Sequence, residues 1–147
     1  MKEKIIIDSV SVEKTLNRLS HEIIENSKSN EEIVLIGIHK RGVPIAKRLK
    51  NKIKSIAGID LKTGAIDITF HRDDYRERLH VPEVKGSDIP CNLDGKIVIL
   101  IDDVLYTGRT IRAALEELNS FGRALKVQVA VLVDRGHREL PIKADFI

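Results

Sequence analysis

The apolar residues of the chain follow two alternating patterns, one typical of amphipathic helices and the other of buried strands. Helical stripes, with apolar residues three or four positions apart, cover residues 12–24, 44–53 and 111–121. Strand patterns cover residues 33–38, 65–70, 97–101 and 127–133. Residues 33–38 and 97–101 are continuous apolar runs, and 127–133 is apolar except for Gln128, as in parallel strands that are buried on both faces. We therefore predict an α/β fold with a central, mostly parallel sheet flanked by helices.

The helix ends and the loops of this predicted fold carry signals of their own. Ser11 is the predicted N-cap of the first helix, and Gly122 is the predicted end of the last one. Residues 71–95 begin with a highly charged run and continue with several prolines and glycines, which predicts a mobile lid. The other charged turns directly follow apolar strands. Because ligands bind at the carboxyl edge of open α/β sheets, we expect a site where these turns meet.

The run at 97–101 leads into the residues with the clearest chemistry. Asp102 and Asp103 follow it directly, and the turn YTGRT at 106–110 then opens onto a helix. Gly108 allows the backbone to approach a ligand, and a helix N-terminus attracts anions. Carboxylates can also accept hydrogen bonds from vicinal hydroxyls. The combination predicts a site for a phosphorylated ribose; the alternative is that the two acids only cap a helix beside a routine turn.

A second basic turn follows the first strand. In the segment GIHKRG at 37–42, two glycines flank Lys40 and Arg41, and the backbone N–H groups could hold another anion. The alternative is a basic surface turn. Residues 40–54 contain seven Lys or Arg and no acid, which favours phosphate-bearing partners or, equally, a solvated helix face.

Composition excludes several classes of protein and of site. No apolar run approaches the length of a membrane span, and we expect no membrane partner. Cys91 is the one cysteine, which excludes a disulfide framework and indicates a reducing, cytoplasmic setting. Aromatic residues make up 3% of the chain and Trp is absent, so a base-stacking platform for single strands is not expected. The Walker and dinucleotide-binding fingerprints are missing, and the five His lack the spacing of a metal site.

Four separated motifs resemble those of one protein family. IVILIDDVLYTGRT at 97–110 resembles the phosphoribosyl diphosphate (PRPP) signature of the type I phosphoribosyltransferases. Together with DITFHRDD (67–74), VKGSDIP (84–90) and VDRGHRELPIKADF (133–146), it resembles the branch of pyrimidine operon regulators that are also uracil phosphoribosyltransferases. The similarity covers almost the whole chain. It implies one phosphoribosyltransferase-like domain over residues 1–147. Family members continue through a further segment, so two alternatives stay open: the chain is truncated, or its end is not assigned.

The resemblance also implies a reaction and a role for individual residues. Uracil and PRPP would give UMP and diphosphate, with Mg²⁺ held mainly by substrate oxygens rather than by the protein. The implied catalytic residues are Asp102, Asp103 and Arg72. The implied 5′-phosphate site is Tyr106, Thr107, Gly108, Arg109 and Thr110. Diphosphate would bind Lys40 and Arg41, where family members often have a Thr before the Arg, and uracil would bind at Val133 and Asp134.

The same branch binds a stem-loop of pyrimidine operon leader RNA when UMP or UTP is bound. The resemblance implies RNA contacts at Asn17, His21, Arg138 and Lys143, and a homodimer or homotetramer. From the residues alone, a solvent-exposed helix position is the favoured interpretation of His21, and only the resemblance reverses it. Two other functions stay open at this point: a regulatory RNA-binding protein without turnover, and a salvage phosphoribosyltransferase for another base without an RNA role.

Overall fold

The computed structural model describes residues 8–28, 31–69 and 86–147. Within them lie three α-helices, α1 (Ser9–Asn26), α2 (Gly42–Ala57) and α3 (Arg109–Leu118), the last continued by a 3-10 turn (Asn119–Phe121). The strands are β1 (Ile33–Ile38), β2 (Lys62–Ile66), β3 (Ile97–Leu105) and β4 (Lys126–Asp134). Strands and helices alternate along the described residues, except that β2 is followed by β3.

The strands form one parallel sheet in the order β2-β1-β3-β4. β1 pairs with β2 on one side and with β3 on the other, and β3 pairs with β4 from Ile97↔Lys126 to Leu105↔Asp134. The chain therefore passes from β1 to β2 at one edge of the sheet, and the later strands β3 and β4 lie on the other side of β1. The predicted α/β fold with a central parallel sheet is confirmed.

The two faces of the sheet bury two separate cores. Along β3, Val98 and Leu100 pack in one core with residues of α3, whereas Ile99 and Ile101 pack in the other with residues of α1 and α2. All four side chains are almost completely buried. Burial on both faces explains why this strand is continuously apolar rather than alternating.

Three predicted element ends were wrong. The first helix is capped by Asp8, whose Oδ1 accepts from the backbone N–H of Ser11 at 2.8 Å, so Ser11 lies inside the helix. The second strand ends at Ile66 rather than residue 70, because Asp67 turns the chain away from the sheet. Its carboxylate accepts from the N–H groups of Thr69 and Gly86, each at 2.9 Å. β3 continues four residues past 101, because β4 pairs with it as far as Leu105.

Part of the predicted lid is fixed to the domain instead. Residues 70–85 lie outside the described residues, but 86–95 do not. Asp88 pairs with Ala65 through two backbone hydrogen bonds, and Leu93 is completely buried, with its N–H donating to the Phe121 carbonyl at 2.9 Å. The prediction of a lid is therefore wrong for 86–95, because burial of Leu93 and pairing with β2 hold this stretch in place.

Candidate functional site

The site lies where the strand order of the sheet changes direction, between β1 and β3. The turn at 39–41 follows β1, and the turn at 106–108 follows β3, so both loops leave the carboxyl edge beside the same crevice. Ligands of open α/β sheets bind at this topological switch point. The sequence predicted that the two turns would meet; the topology places them next to each other.

Glycine allows the close packing on which this crevice depends. A Cβ atom on Gly42 would lie 2.0 Å from the carbonyl oxygen of Ile101, and one on Gly37 would lie 2.5 Å from the carbonyl oxygen of Gly42. Only a residue without a side chain fits such contacts. The N-terminus of α2 is thereby pressed against β3 immediately before Asp102. The peptide bond between His39 and Lys40, in the turn between the two glycines, is cis.

The two adjacent acids lie at the carboxyl end of β3 and not at a helix end. Asp102 Oδ1 accepts from the backbone N–H of Asp103 at 2.8 Å, and Asp103 Oδ1 accepts from that of Val104 at 2.9 Å. The N-cap of the next helix is Gly108, which has no side chain to accept a hydrogen bond there. The interpretation of the acids as mere helix caps is therefore rejected.

The environment of Asp102 raises its pKa to about 7 from the ordinary 3.8. Burial is the largest cause, because desolvation disfavours the ionised form, and the neighbouring Asp103 carboxyl adds to it. The positive charge of Arg41 opposes the rise in the pKa of Asp102. Its Nη1 lies 3.4 Å from Asp103 Oδ2 across the crevice. The site thus holds an acid whose protonation changes near neutral pH, next to a cation from the other turn.

The turn at residues 106–110, which is the predicted phosphate turn, has the backbone geometry that an anion site requires. Gly108 adopts a left-handed conformation (φ 96°), and α3 begins directly after it at Arg109. Thr107 Oγ1 accepts from the Arg109 N–H at 3.2 Å. The first N–H groups of a helix and its dipole favour an anion at this end.

A segment that follows β4 holds this turn from behind. The carbonyl oxygen of Thr107 accepts from the N–H groups of Glu139 at 2.9 Å and Leu140 at 3.1 Å. The carboxylate of Glu139 also pairs with Arg109, with Oε1 2.7 Å from Nε. Residues 139–140 therefore fix the backbone of the turn, and Glu139 competes with any phosphate for Arg109.

The side chain of Arg138, in the same segment, connects the phosphate turn with the end of β4 and with the residues that follow it. Its guanidinium donates to the carbonyl oxygens of Tyr106 and Ile142, both at 2.7 Å, and to Asp134 Oδ2 at 2.6 Å. The Asp134 carboxylate is also the acceptor for the Gly136 N–H at 2.9 Å. These two donors, Arg138 first, keep the pKa of Asp134 below its usual value. The end of β4, the next turn and the phosphate turn thus share one hydrogen-bonded network.

The structure brings together most of the residues predicted from the sequence. Asp102, Asp103 and Arg41 lie at the crevice, with Lys40 exposed in the same turn as Arg41. The β3–β4 pairing places Val133 and Asp134 beside Val104 and Leu105, so the predicted base position is next to the phosphate turn. Arg72 lies outside the described residues.

The residues predicted to contact RNA have different environments. Asn17, His21 and Lys143 are exposed, while Arg138 is partly buried in the network above. Asn17 Oδ1 accepts from Lys52 Nζ at 3.0 Å, and Lys52 also pairs with Glu13.

The cluster at 40–54 is only partly a solvated face. Arg48 and Lys52 are paired with Glu13, and Lys50 is paired with Asp60. These ion pairs reduce the charge available to a phosphate partner. The basic turn at Lys40 and Arg41 is the part of this cluster that lies at the crevice.

Three contributors to the site were not found from the sequence: the pairing of Glu139 with Arg109, the bridging by Arg138, and the approach of Gly42 to Ile101. Of these, only Arg138 had a local signal, since it lies four residues after Asp134. The other two depend on contacts between distant parts of the chain.

In residues 8–28, 31–69 and 86–147, no group of three or more His, Cys, Asp or Glu could hold a metal ion. In the same ranges no helix is long and apolar enough to cross a membrane.

Comparison with known proteins decides the family. The phosphoribosyl transferase domain model matches residues 4–147, nearly the entire chain. The chain belongs to the phosphoribosyltransferase family. Bifunctional protein pyrR of Enterococcus faecalis is 50% identical over 147 residues, which are 100% of this chain and 82% of that protein. Bifunctional protein PyrR of Clostridioides difficile is 52% identical over 143 residues, 97% of this chain and 80% of that protein.

Solved structures support the fold. A hypoxanthine-guanine phosphoribosyltransferase from Bacillus anthracis aligns with a TM-score of 0.75 and 20% identity, covering 99% of this chain and 82% of that one. A hypoxanthine phosphoribosyltransferase from Staphylococcus aureus aligns with a TM-score of 0.74 and 19% identity, covering 98% and 74%. The family predicted from the four motifs is confirmed.

Proposed function

We propose that the chain transfers the phosphoribosyl group of PRPP to uracil and that, with UMP or UTP bound, it binds pyrimidine operon leader RNA. The observation that carries the enzymatic part is the Asp102–Asp103 pair at the switch point, with Arg41 3.4 Å from Asp103 across the crevice. The choice of uracil rests on the motif resemblance and on the relatives at 50% and 52% identity, which are named bifunctional.

The two carboxylates would act on the ribose. In the proposed reaction the bond from ribose C1′ to the diphosphate oxygen breaks, a bond from C1′ to uracil N1 forms, and the N1 proton passes to solvent. Asp102 and Asp103 would accept hydrogen bonds from the ribose hydroxyls, and their negative charge would stabilise the positive charge that develops on the sugar. Because the pKa of Asp102 is about 7, this charge is available in full only above neutral pH.

The two turns would hold the phosphates at either end of the ribose. The N-terminus of α3 and the turn at 106–110 would bind the 5′-phosphate, while Lys40 and Arg41 would bind the diphosphate. Mg²⁺, held mainly by substrate oxygens rather than by the protein, would neutralise charge on the diphosphate. Catalysis would then consist of positioning and electrostatic stabilisation, since this site presents no evident nucleophile. PRPP and leader RNA are cytoplasmic molecules, so the proposal places the protein in the cytoplasm.

The enzymatic proposal is tested by incubating the protein with PRPP, Mg²⁺ and either uracil, hypoxanthine or guanine, and by separating the nucleotides by chromatography. We expect UMP alone. Asp103→Asn should abolish its formation, whereas Asp60→Asn, which alters an exposed acid far from the crevice, should not. Absence of UMP with nucleotide still bound would favour the purely regulatory alternative, and a purine nucleotide as the product would favour salvage of another base.

The RNA-binding part rests on a different set of residues. Asn17 and His21 are exposed on α1, and Arg18 on the same helix donates to the carbonyl oxygen of Ile147 at 3.2 Å, so this helix reaches the end of the segment that carries Lys143. Gel-shift titrations with a leader hairpin should show affinity that rises with UMP and falls steeply with salt, because phosphate contacts release counterions. Affinity independent of both would contradict this part. A homodimer or homotetramer stays a prediction.

A further inference from the structure

Tyr106 is the first residue after β3, and its ring contacts Arg135 and His137 in the turn that follows β4. The sequence groups it with the phosphate turn, but the side chain is 45% exposed and its contacts lie elsewhere. Its carbonyl oxygen accepts from Arg138 at 2.7 Å, which fixes the residue in place. A large aromatic ring that is exposed at the ligand-binding edge of the sheet is available for contact with a ligand.

The ring packs against the turn that follows β4. The guanidinium carbon of Arg135 lies 4.9 Å from the ring centroid of Tyr106, within the range of a cation–π contact. The His137 ring lies 5.6 Å away, centroid to centroid, at a tilt of 59°. The side chain therefore leans toward the end of β4, while Thr107 and Gly108 continue toward the N-terminus of α3.

The turn that supports the ring is itself held firmly. Gly136 and His137 both adopt left-handed backbone conformations, with φ of 73° and 58°. The latter is uncommon for a residue with a side chain. The carboxylate of Asp134 stabilises this shape, since it accepts from the Gly136 N–H at 2.9 Å and from Arg138 at 2.6 Å. The turn is thus arranged before any ligand binds.

We propose that Tyr106 is a base-binding residue: its ring, supported by Arg135 and His137, forms an aromatic wall against which the planar base packs. This inference rests on the proposed function, which puts the base at Val133 and Asp134. The pairing of Leu105 with Asp134 places Tyr106 directly beside that position. Every nucleobase has an aromatic face, and packing on a tyrosine ring removes apolar surface of both partners from water.

The test distinguishes contacts to the base from contacts to the phosphate by comparing two ligands, of which only one carries a base. UMP and ribose 5-phosphate are titrated into the full chain by isothermal calorimetry, for the wild type, Tyr106→Phe, Tyr106→Ala and Thr107→Val. We expect Tyr106→Ala to weaken UMP binding about tenfold, the loss of one stacked base, and to leave ribose 5-phosphate binding unchanged. Tyr106→Phe should bind both ligands like the wild type, and Thr107→Val should weaken both equally.

Each other outcome would overturn the inference. An equal loss of both ligands on Tyr106→Ala would make Tyr106 a phosphate ligand, and no loss of either would show that the ring does not contact the base. If Tyr106→Ala does not fold, as judged by circular dichroism, Tyr106→Leu takes its place with the same expectations. A wild-type chain that binds neither ligand overturns the proposed function as well, whereas one that binds both tests the present inference alone.

Discussion

Replacing Asp102 by Asn should stabilise the folded protein at alkaline pH while it abolishes turnover. The folded state raises the pKa of this carboxyl from 3.8 to about 7, chiefly through burial. That difference corresponds to about 4 kcal/mol of destabilisation once the group is ionised in both states. Asn at this position keeps a side-chain oxygen that can accept from the Asp103 N–H, as Asp102 Oδ1 does at 2.8 Å. Because Asn carries no charge, its burial has no cost of charge desolvation.

The net gain will be smaller than this figure, because the neutral amide buries two N–H groups of its own that the carboxylate does not have. We expect about 1–2 kcal/mol at pH 8, or about 2–8 °C in Tm for a domain of this size. The gain should shrink as the pH falls from 7 toward 4, since the folded protein then retains a proton that the unfolded chain has released. It should vanish below pH 4, where the carboxyl is protonated in both states.

The assay is thermal unfolding followed by circular dichroism at pH 8, 6 and 4, with Asp134→Asn as the matched control. The pKa of Asp134 is lowered by Arg138, so its ionised form stabilises the folded state above the ordinary pKa. Its replacement should therefore lower Tm at pH 8, the opposite sign. A lower Tm for Asp102→Asn at pH 8, or a difference that does not vary with pH, would refute the reasoning from desolvation.

Three further predictions follow from the same contacts. The kcat/KM for PRPP should rise with pH through about 7 as Asp102 ionises; a flat profile from pH 6 to 8 would contradict this. Gly42→Ala should cost about 3 kcal/mol or more in urea unfolding, because its Cβ would lie 2.0 Å from the Ile101 oxygen; an unchanged midpoint would exclude that clash. Arg138→Lys should raise KM for PRPP about tenfold, since one ammonium cannot replace the three donor positions; an unaltered KM would show that the turn holds without Arg138.

The strands buried on both faces could be predicted from the sequence because their apolar pattern is local. β1 and β4 were predicted almost to the residue, since nearly all their central side chains must leave water. β2 was placed wrongly because its end depends on Asp67, which accepts from Gly86, a residue 19 positions along the chain. The spacing of apolar residues within a short segment gives no sign of a contact between residues so far apart in the chain.

The site shows the same division. A carboxylate pair next to a glycine turn is a local pattern, so the sequence by itself determined the family and predicted a site for a phosphorylated ribose. The raised pKa of Asp102, the Arg41–Asp103 contact, and the support of the phosphate turn by residues 134–142 were decided only by the tertiary structure. The reason is that burial and charge proximity depend on which strands become neighbours. The sheet order β2-β1-β3-β4, with Gly42 pressed against Ile101, sets both.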